Sequence, residues 1–125
     1  MAKSMITIDK KRLERVLRTV EKPGRYVGGE WNQIRKDPRK VKSKVALVFP
    51  DAYEIGMSYL GQKILYHILN ARPDVLAERV FAPWPDFEQG LRGADLPLYS
   101  LENRIPLHEF DIVGVSLLYE LNYSN

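Results

Sequence analysis

Val45-Ala46-Leu47-Val48-Phe49-Pro50-Asp51-Ala52-Tyr53-Glu54-Ile55-Gly56 is the stretch whose reading decides the fold. Its first five residues are apolar without a break, and Pro50 stops the run. A strand half exposed to water alternates apolar and polar residues; an unbroken apolar run suits a strand covered on both faces, as in a parallel sheet. Toward the C-terminus, Gly56 to Asn70 has helical period. Met57, Leu60, Ile64 and Ile68 form its apolar stripe, Leu65 and Leu69 lie beside it, and Asn70 and Pro73 close it. Val75 to Phe81 reads as a second strand, interrupted in its apolar character by Glu78 and Arg79. Pro85 opens another helix, with Phe87 and Leu91 inside and Gly93 as its stop. Leu98 to Leu101 reads as a short edge strand, and Asp111 to Leu118 as the last strand.

The order strand, helix, strand, helix, short strand, strand predicts a parallel α/β sheet of three or four strands with flanking helices and right-handed crossovers. Doubly wound sheets usually have about five strands or more. Asn125 falls where the next helix is expected, so the chain reads as the front part of a larger protein.

Outward in the other direction, six basic residues and one acid lie between Arg35 and Lys44. Before them, Tyr26 to Asp37 contains Gly28, Gly29 and Trp31 without a clear period, as expected of a loop pinned by aromatics. A short helix capped by Asp9 precedes it, with Leu13, Val16, Leu17 and Val20 at helical spacing and Pro23-Gly24 as its end. The expected organisation is therefore residues 1–44 as helix, Gly/Trp loop and basic linker, and residues 45–125 as the sheet domain.

Composition sets the outer bounds. The 125 residues allow one domain, and 45% apolar residues supply an ordinary core. There is no cysteine, which excludes disulfides, thiolate nucleophiles and cysteine-held zinc or iron–sulfur clusters within this sequence. Two histidines, His67 and His108, make no metal site, and no catalytic residue stands out. No run of about 18 apolar residues suggests a membrane span. The N-terminus lacks the apolar core of a signal peptide, so a cytoplasmic location is expected.

In open α/β sheets, ligands gather beyond the carboxyl ends of the strands. Two segments are expected there. One is Asp51-Ala52-Tyr53-Glu54-Ile55-Gly56, and the other is Ser116-Leu117-Leu118 with Tyr119-Glu120 behind it. From spacing alone the plain reading comes first: a βα turn, with Asp51 or a neighbour capping the helix and Gly56 permitting close packing. It is neither a dinucleotide fingerprint nor a P-loop, since G-x-G-x-x-G and G-x-x-x-x-G-K-[ST] are both absent.

Three longer strings carry a resemblance: Lys22-Pro23-Gly24-Arg25-Tyr26-Val27-Gly28-Gly29-Glu30-Trp31-Asn32, Phe49-Pro50-Asp51-Ala52-Tyr53-Glu54-Ile55-Gly56-Met57-Ser58, and Val80-Phe81-Ala82-Pro83-Trp84-Pro85-Asp86. Together they resemble the N-terminal part of radical SAM proteins that carry a cobalamin (vitamin B12)-binding domain, over nearly the whole chain. The resemblance implies an incomplete Rossmann-like, flavodoxin-like domain. A radical SAM barrel would follow it, with the iron–sulfur cluster and S-adenosylmethionine held in that later part.

It also implies roles for the two edge segments. Methionine-synthase-type cobalamin domains carry D-x-H-x-x-G after the first strand, whose histidine ligates cobalt, and S-x-L at a later strand end. Asp51, Tyr53 and Gly56 match the first pattern with tyrosine in place of histidine, and Ser116 and Leu118 match the second. The family's G-G position would lie beyond Asn125. The implied cofactor-binding set is Asp51, Tyr53, Glu54, Gly56, Ser116 and Leu118, with no protein imidazole beneath the metal and no metal ligand in this chain.

The remaining singular residues have plain readings. His67 and His108 are expected at the surface or in structural roles, and Trp31, Trp84 and Tyr26 as loop anchors. The basic stretch from Arg35 to Lys44 is either a solvated linker or contact surface for an acidic partner. Two functions follow: a non-catalytic cobalamin-binding-like module of a radical SAM protein, partnered by its own polypeptide, or a basic RNA- or protein-binding module that keeps the α/β fold without cofactor.

Overall fold

A computed structural model of the chain describes residues 8–30 and 32–117. It is an α/β fold built on three parallel strands, β1 (Ser43–Phe49), β2 (Val75–Phe81) and β3 (Ile112–Val115), in the order β2-β1-β3. Val45 pairs with Ala77 on one side and Ile112 on the other, and Val48 with Val80 and Val115. The helices are α1 (Lys10–Leu17), α2 (Tyr53–Met57), α3 (Leu60–Asn70) and α4 (Pro85–Gly93), with short 3₁₀ turns at Pro23–Arg25 and Leu107–Glu109. Of the three or four parallel strands expected, three form the sheet.

The central strand explains itself by its period of two. Val45 and Leu47 face a core containing Tyr66 of α3 and Ala77 of β2. Ala46 faces the opposite core, with Leu76, Val80, Ile105 and Phe110. Both faces are covered, so both sets of residues must be apolar. A third core joins α1 to α4: Leu13, Val16 and Leu17 pack with Tyr26, Phe87, Leu91 and Tyr99. The Tyr26 and Phe87 rings stack with centroids 3.8 Å apart. Each such fully buried apolar side chain contributes about 1.5–3 kcal/mol. Asp9 caps α1 as expected, its Oδ1 accepting from the N–H groups of Lys11 and Arg12 at 3.0 and 3.3 Å.

The segment from Gly56 to Asn70 departs from expectation in two ways. It is not one helix: the chain breaks between Met57 and Leu60, where Tyr59 is extended (φ −85°, ψ 113°) and its ring lies 5.5 Å from that of Phe49. The stripe also points the other way. Leu60, Ile64, Leu65 and Ile68 are exposed, and the sheet-facing residues are Gln62, Tyr66 and Asn70. The two sets are offset by two residues, about 200° around a helix.

Hydrogen bonding dictates the choice. Gln62 donates from Nε2 to the Leu47 carbonyl at 3.1 Å. The Asn70 amide both accepts from the Ala77 N–H and donates to the Ala77 carbonyl, each at 3.0 Å.

Those bonds belong to a larger device along the outer edge of β2. Lys36 Nζ donates to the Val75 carbonyl at 2.7 Å, and also to the carbonyls of Asn70 and Arg72 at the C-terminal end of α3. The Arg79 N–H donates to the Glu102 carboxylate, at 3.2 Å to each oxygen, and the Leu101 N–H donates to the Arg79 carbonyl at 2.8 Å. Leu98 to Leu101 is thus not a strand; Tyr99 makes one antiparallel bridge to Pro106, and the segment closes the β2 edge instead. A closed edge cannot template further pairing. The opposite border differs: Ile112, Val113, Val115 and Leu117 are all about half exposed or more, at 45–57%.

Candidate functional site at the carboxyl edge of the sheet

β1 and β3 lie side by side, yet the chain leaves β1 for β2 on the other flank. Their carboxyl ends therefore flank the point where the winding of the sheet reverses, the place where open α/β sheets bind ligands. Asp51 follows β1 and Ser116 follows β3, and the Ser116 N–H donates to the Val48 carbonyl at 2.9 Å. The fold brings together the two segments that are 60 residues apart in sequence. On the Asp51 side, between the ends of β1 and β2 and the start of α4, opens a cleft of about 1000 Å³ bordered by Asp51, Ala52, Pro83 and Trp84; Ser116 is not part of its lining.

The turn itself is tightly organised. The Asp51 N–H donates to the Phe49 carbonyl at 2.8 Å, and its own carbonyl accepts from the Ala82 N–H at 3.0 Å, tying the end of β1 to the end of β2. Asp51 Oδ1 accepts from the Ala52 N–H at 2.7 Å. The residue at the N-cap of α2 is Ala52, whose methyl side chain makes no capping hydrogen bond. Gly56 sits where a Cβ would fall 2.2 Å from the Phe81 ring. Only a glycine lets α2 approach the sheet this closely.

Tyr53 and Glu54 have partners within the protein. The Tyr53 hydroxyl donates to the Glu30 carboxylate in a short hydrogen bond, and its ring meets Phe81 edge-on. Burial, reinforced by that carboxylate, pushes the phenol further above its ordinary value, so it stays protonated. Glu54 is paired with Arg25 at 2.7 Å, which holds its carboxyl below the ordinary range, and Arg25 in turn lies over the Trp84 ring at 5.0 Å. The Lys22–Asn32 loop is thereby pinned onto the β1–α2 turn through Glu30 and Arg25. Leu118 and Trp31 lie outside the described residues.

This donor set bears on cobalt. The turn carries no imidazole, and a neutral phenol already donating to Glu30 is not a metal ligand. Among the described residues no group of three or more histidine, cysteine, aspartate or glutamate side chains is placed to hold a metal ion. No helix among them is long and apolar enough to cross a membrane.

Two groups of residues have roles that escape reading from the sequence. Glu78 and Arg79 lie within β2 at 0% and 1% exposure and pair with distant loop residues. Ser100 Oγ donates to Glu78 at 2.6 Å, and the Arg79 guanidinium lies 4.3 Å from the Tyr66 ring centroid and 3.6 Å from Glu102. Burial pushes the Glu102 carboxyl up to about 7 even beside Arg79. The available signal was two charges in the middle of an apolar strand, which calls for buried partners. Part of the basic stretch is structural: Lys36 caps α3, Arg35 donates to the Glu102 carbonyl at 3.3 Å, and Arg39 pairs with Asp37 at 3.1 Å at the surface.

Residues 61–125 match a family model described as radical SAM proteins, N-terminal. No curated protein and no solved structure matches the chain. The match spans more than half of the 125 residues and includes α3, β2, α4 and β3. The chain accordingly belongs to the family of radical SAM protein N-terminal regions.

Proposed function

We propose that this chain is the cobalamin-binding-like N-terminal module of a radical SAM protein, with Asp51, Tyr53, Glu54, Gly56, Ser116 and Leu118 at the cofactor edge. The observation that carries the reading is the adjacency of the Asp51 turn and Ser116 at the reversal between β1 and β3. The residues fit a cobalamin held along its periphery and nucleotide tail rather than through a protein ligand to cobalt. Asp51 and Ser116 stand at neighbouring strand ends, and a cleft of about 1000 Å³ opens on the Asp51 side. Bound there, the cofactor would supply cobalt–carbon bond chemistry. The chain's own part is to hold and orient it. Glu30 and Arg25 keep Tyr53 and Glu54 in place, and Gly56 keeps the turn against Phe81.

The module is not catalytic by itself in this reading. A radical SAM cluster needs thiolates and the chain has none, so cluster and S-adenosylmethionine belong to a barrel elsewhere in the same polypeptide. The asymmetry of the sheet supports that partner. The β2 edge is closed by side chains, whereas β3 and the outer face of α3 present Ile112, Val113, Val115, Leu60, Ile64 and Ile68 to solvent. Apolar faces of that extent are characteristic of surfaces that dock further structure.

The test is a hydroxocobalamin titration of the polypeptide extended beyond Asn125 through the rest of the domain, followed by visible absorption. Saturable one-to-one binding is expected, without a nitrogen-ligated cobalt signal. Tyr53→His is expected to introduce that signal if residue 53 lies beneath the metal. Absence of saturable binding in the extended polypeptide would remove cobalamin from the reading.

A further inference from the structure

A second cleft, of about 500 Å³, lies on the β2 flank of the molecule, away from the β1–β3 crevice. That volume is within the range of small-molecule sites. Its walls come from three separate parts of the chain: the start of α1, the Gly28–Gly29 loop and the turn at 102–104. Two features of the backbone build it. Gly28 has φ +75°, and a Cβ there would fall 2.5 Å from the Leu101 carbonyl oxygen, so the loop closes directly on the turn. Arg104 has φ 53°, a left-handed conformation uncommon for an arginine. Such a conformation costs about 1–3 kcal/mol and persists where its surroundings over-determine it.

The charge in this cleft is one-sided. Lys10, Arg35 and Arg104 line it, and the single acid in the lining, Glu102, turns its carboxylate inward to the Arg79 N–H. Neither Lys10 nor Arg104 has a carboxylate partner among the described residues, and Arg35 spends one Nη on the Glu102 carbonyl. Gln33 accepts from the Gly29 and Glu30 N–H groups through Oε1, leaving its Nε2 as a further donor. Ile8, Leu13 and Val27 form an apolar wall beside these donors. Three cations without a facing acid suit a multiply charged anion better than a single carboxylate, and the apolar wall suits an organic body attached to it.

We infer that the cleft between α1, the Gly28–Gly29 loop and the Arg104 turn binds the phosphate groups of a small phosphorylated molecule. Arg104 and Lys10 neutralise the phosphate oxygens, and Ile8 and Val27 contact the body of the ligand. The site is separate from the carboxyl-edge crevice and does not depend on what that crevice holds.

Calorimetric titration of the purified protein with inorganic pyrophosphate, and then with ATP, tests the inference at constant ionic strength. Saturable binding of both is expected, ATP the tighter, with amide shifts in NMR confined to Gly29, Gln33 and residues 102–104. Arg104→Gly removes the cation and favours the same backbone conformation. It is expected to lower affinity by about tenfold, the worth of one charge-assisted contact, while the melting temperature holds or rises. Arg104→Asn, which also tolerates the left-handed backbone, is expected to do the same, and Lys10→Gln to weaken binding without unfolding α1. A response no greater than that to sodium chloride at equal ionic strength would overturn the inference. So would an affinity unchanged by either Arg104 variant.

Discussion

Gly56 has no side chain because the Phe81 ring occupies the place where one would go. Gly56→Ala drives a methyl into Phe81 and must push α2 off the sheet. The expected cost is about 1–3 kcal/mol, the usual range for overpacking, read as a lower urea midpoint at unchanged m-value. Glu102 acts by its proton. Burial lifts its pKa from 4.5 to about 7, against the opposing pull of Arg79. The folded chain therefore binds more protons here than the unfolded chain between those values. Stability contributed by the protonated form is full below about pH 4.5 and is lost as pH rises through about 7. The slope within that window is at most about 1.4 kcal/mol per pH unit. Glu102→Gln is expected to flatten this part of the stability profile between pH 5 and pH 8, measured by urea unfolding at each pH. A profile of unchanged slope would show that Glu102 titrates normally.

At the scale of elements, α3 inverts the usual relation between hydropathy and burial. Its polar residues Gln62 and Asn70 face the sheet because strand groups of Leu47 and Ala77 receive their hydrogen bonds. Its leucine and isoleucine stripe is left outside. Asn70→Ala strips the Ala77 N–H and carbonyl of their partner in a buried place. A loss of about 2–4 kcal/mol is expected, two orphaned groups at about 1–2 each. Leu60→Gln, a larger change in hydropathy at a 66% exposed position, is expected to shift stability by less than about 0.5 kcal/mol. Thermal melts of the two variants side by side decide it. If Leu60→Gln proved the more damaging, the Leu60 side of α3 rather than the Asn70 side would carry its packing.

For the whole molecule the telling contrast is between its two borders. Lys36, Asn70, Glu102 and Leu101 close the β2 edge, while β3 is apolar and open to solvent. The isolated chain is therefore expected to self-associate through β3. Val113→Lys and Val115→Lys, placed on one face of that strand, are expected to raise the monomer fraction in sedimentation velocity runs without loss of far-UV circular dichroism. Charge substitutions on the β2 side, such as Arg72→Glu, should leave association unchanged. Association that ignores the Val113 and Val115 changes would place the self-contact elsewhere.

Much of this architecture was written locally. The continuous apolar runs at Val45–Phe49 and Ile112–Val115 suit strands of a parallel sheet, which both form, and Asp9 and Pro85 announce their helices by cap chemistry that involves neighbours in sequence. That the Asp51 turn and Ser116 reach the same edge also followed, since parallel strands end on one side of the sheet; that β3 lies beside β1 is decided by the strand order β2-β1-β3. Three features depended on the assembled fold. Which side of α3 faces the sheet rests on backbone groups of Leu47 and Ala77 seeking partners, and hydropathy does not record that demand. The charges of Glu78 and Arg79 could be buried only because Ser100, Glu102 and Asn103 arrive from more than 20 residues away. And Tyr53, Glu54 and Lys36 were committed to Glu30, Arg25 and the end of α3 by long-range contacts. Such commitments decide whether a polar side chain is free for a ligand, and they exist only once distant segments pack together.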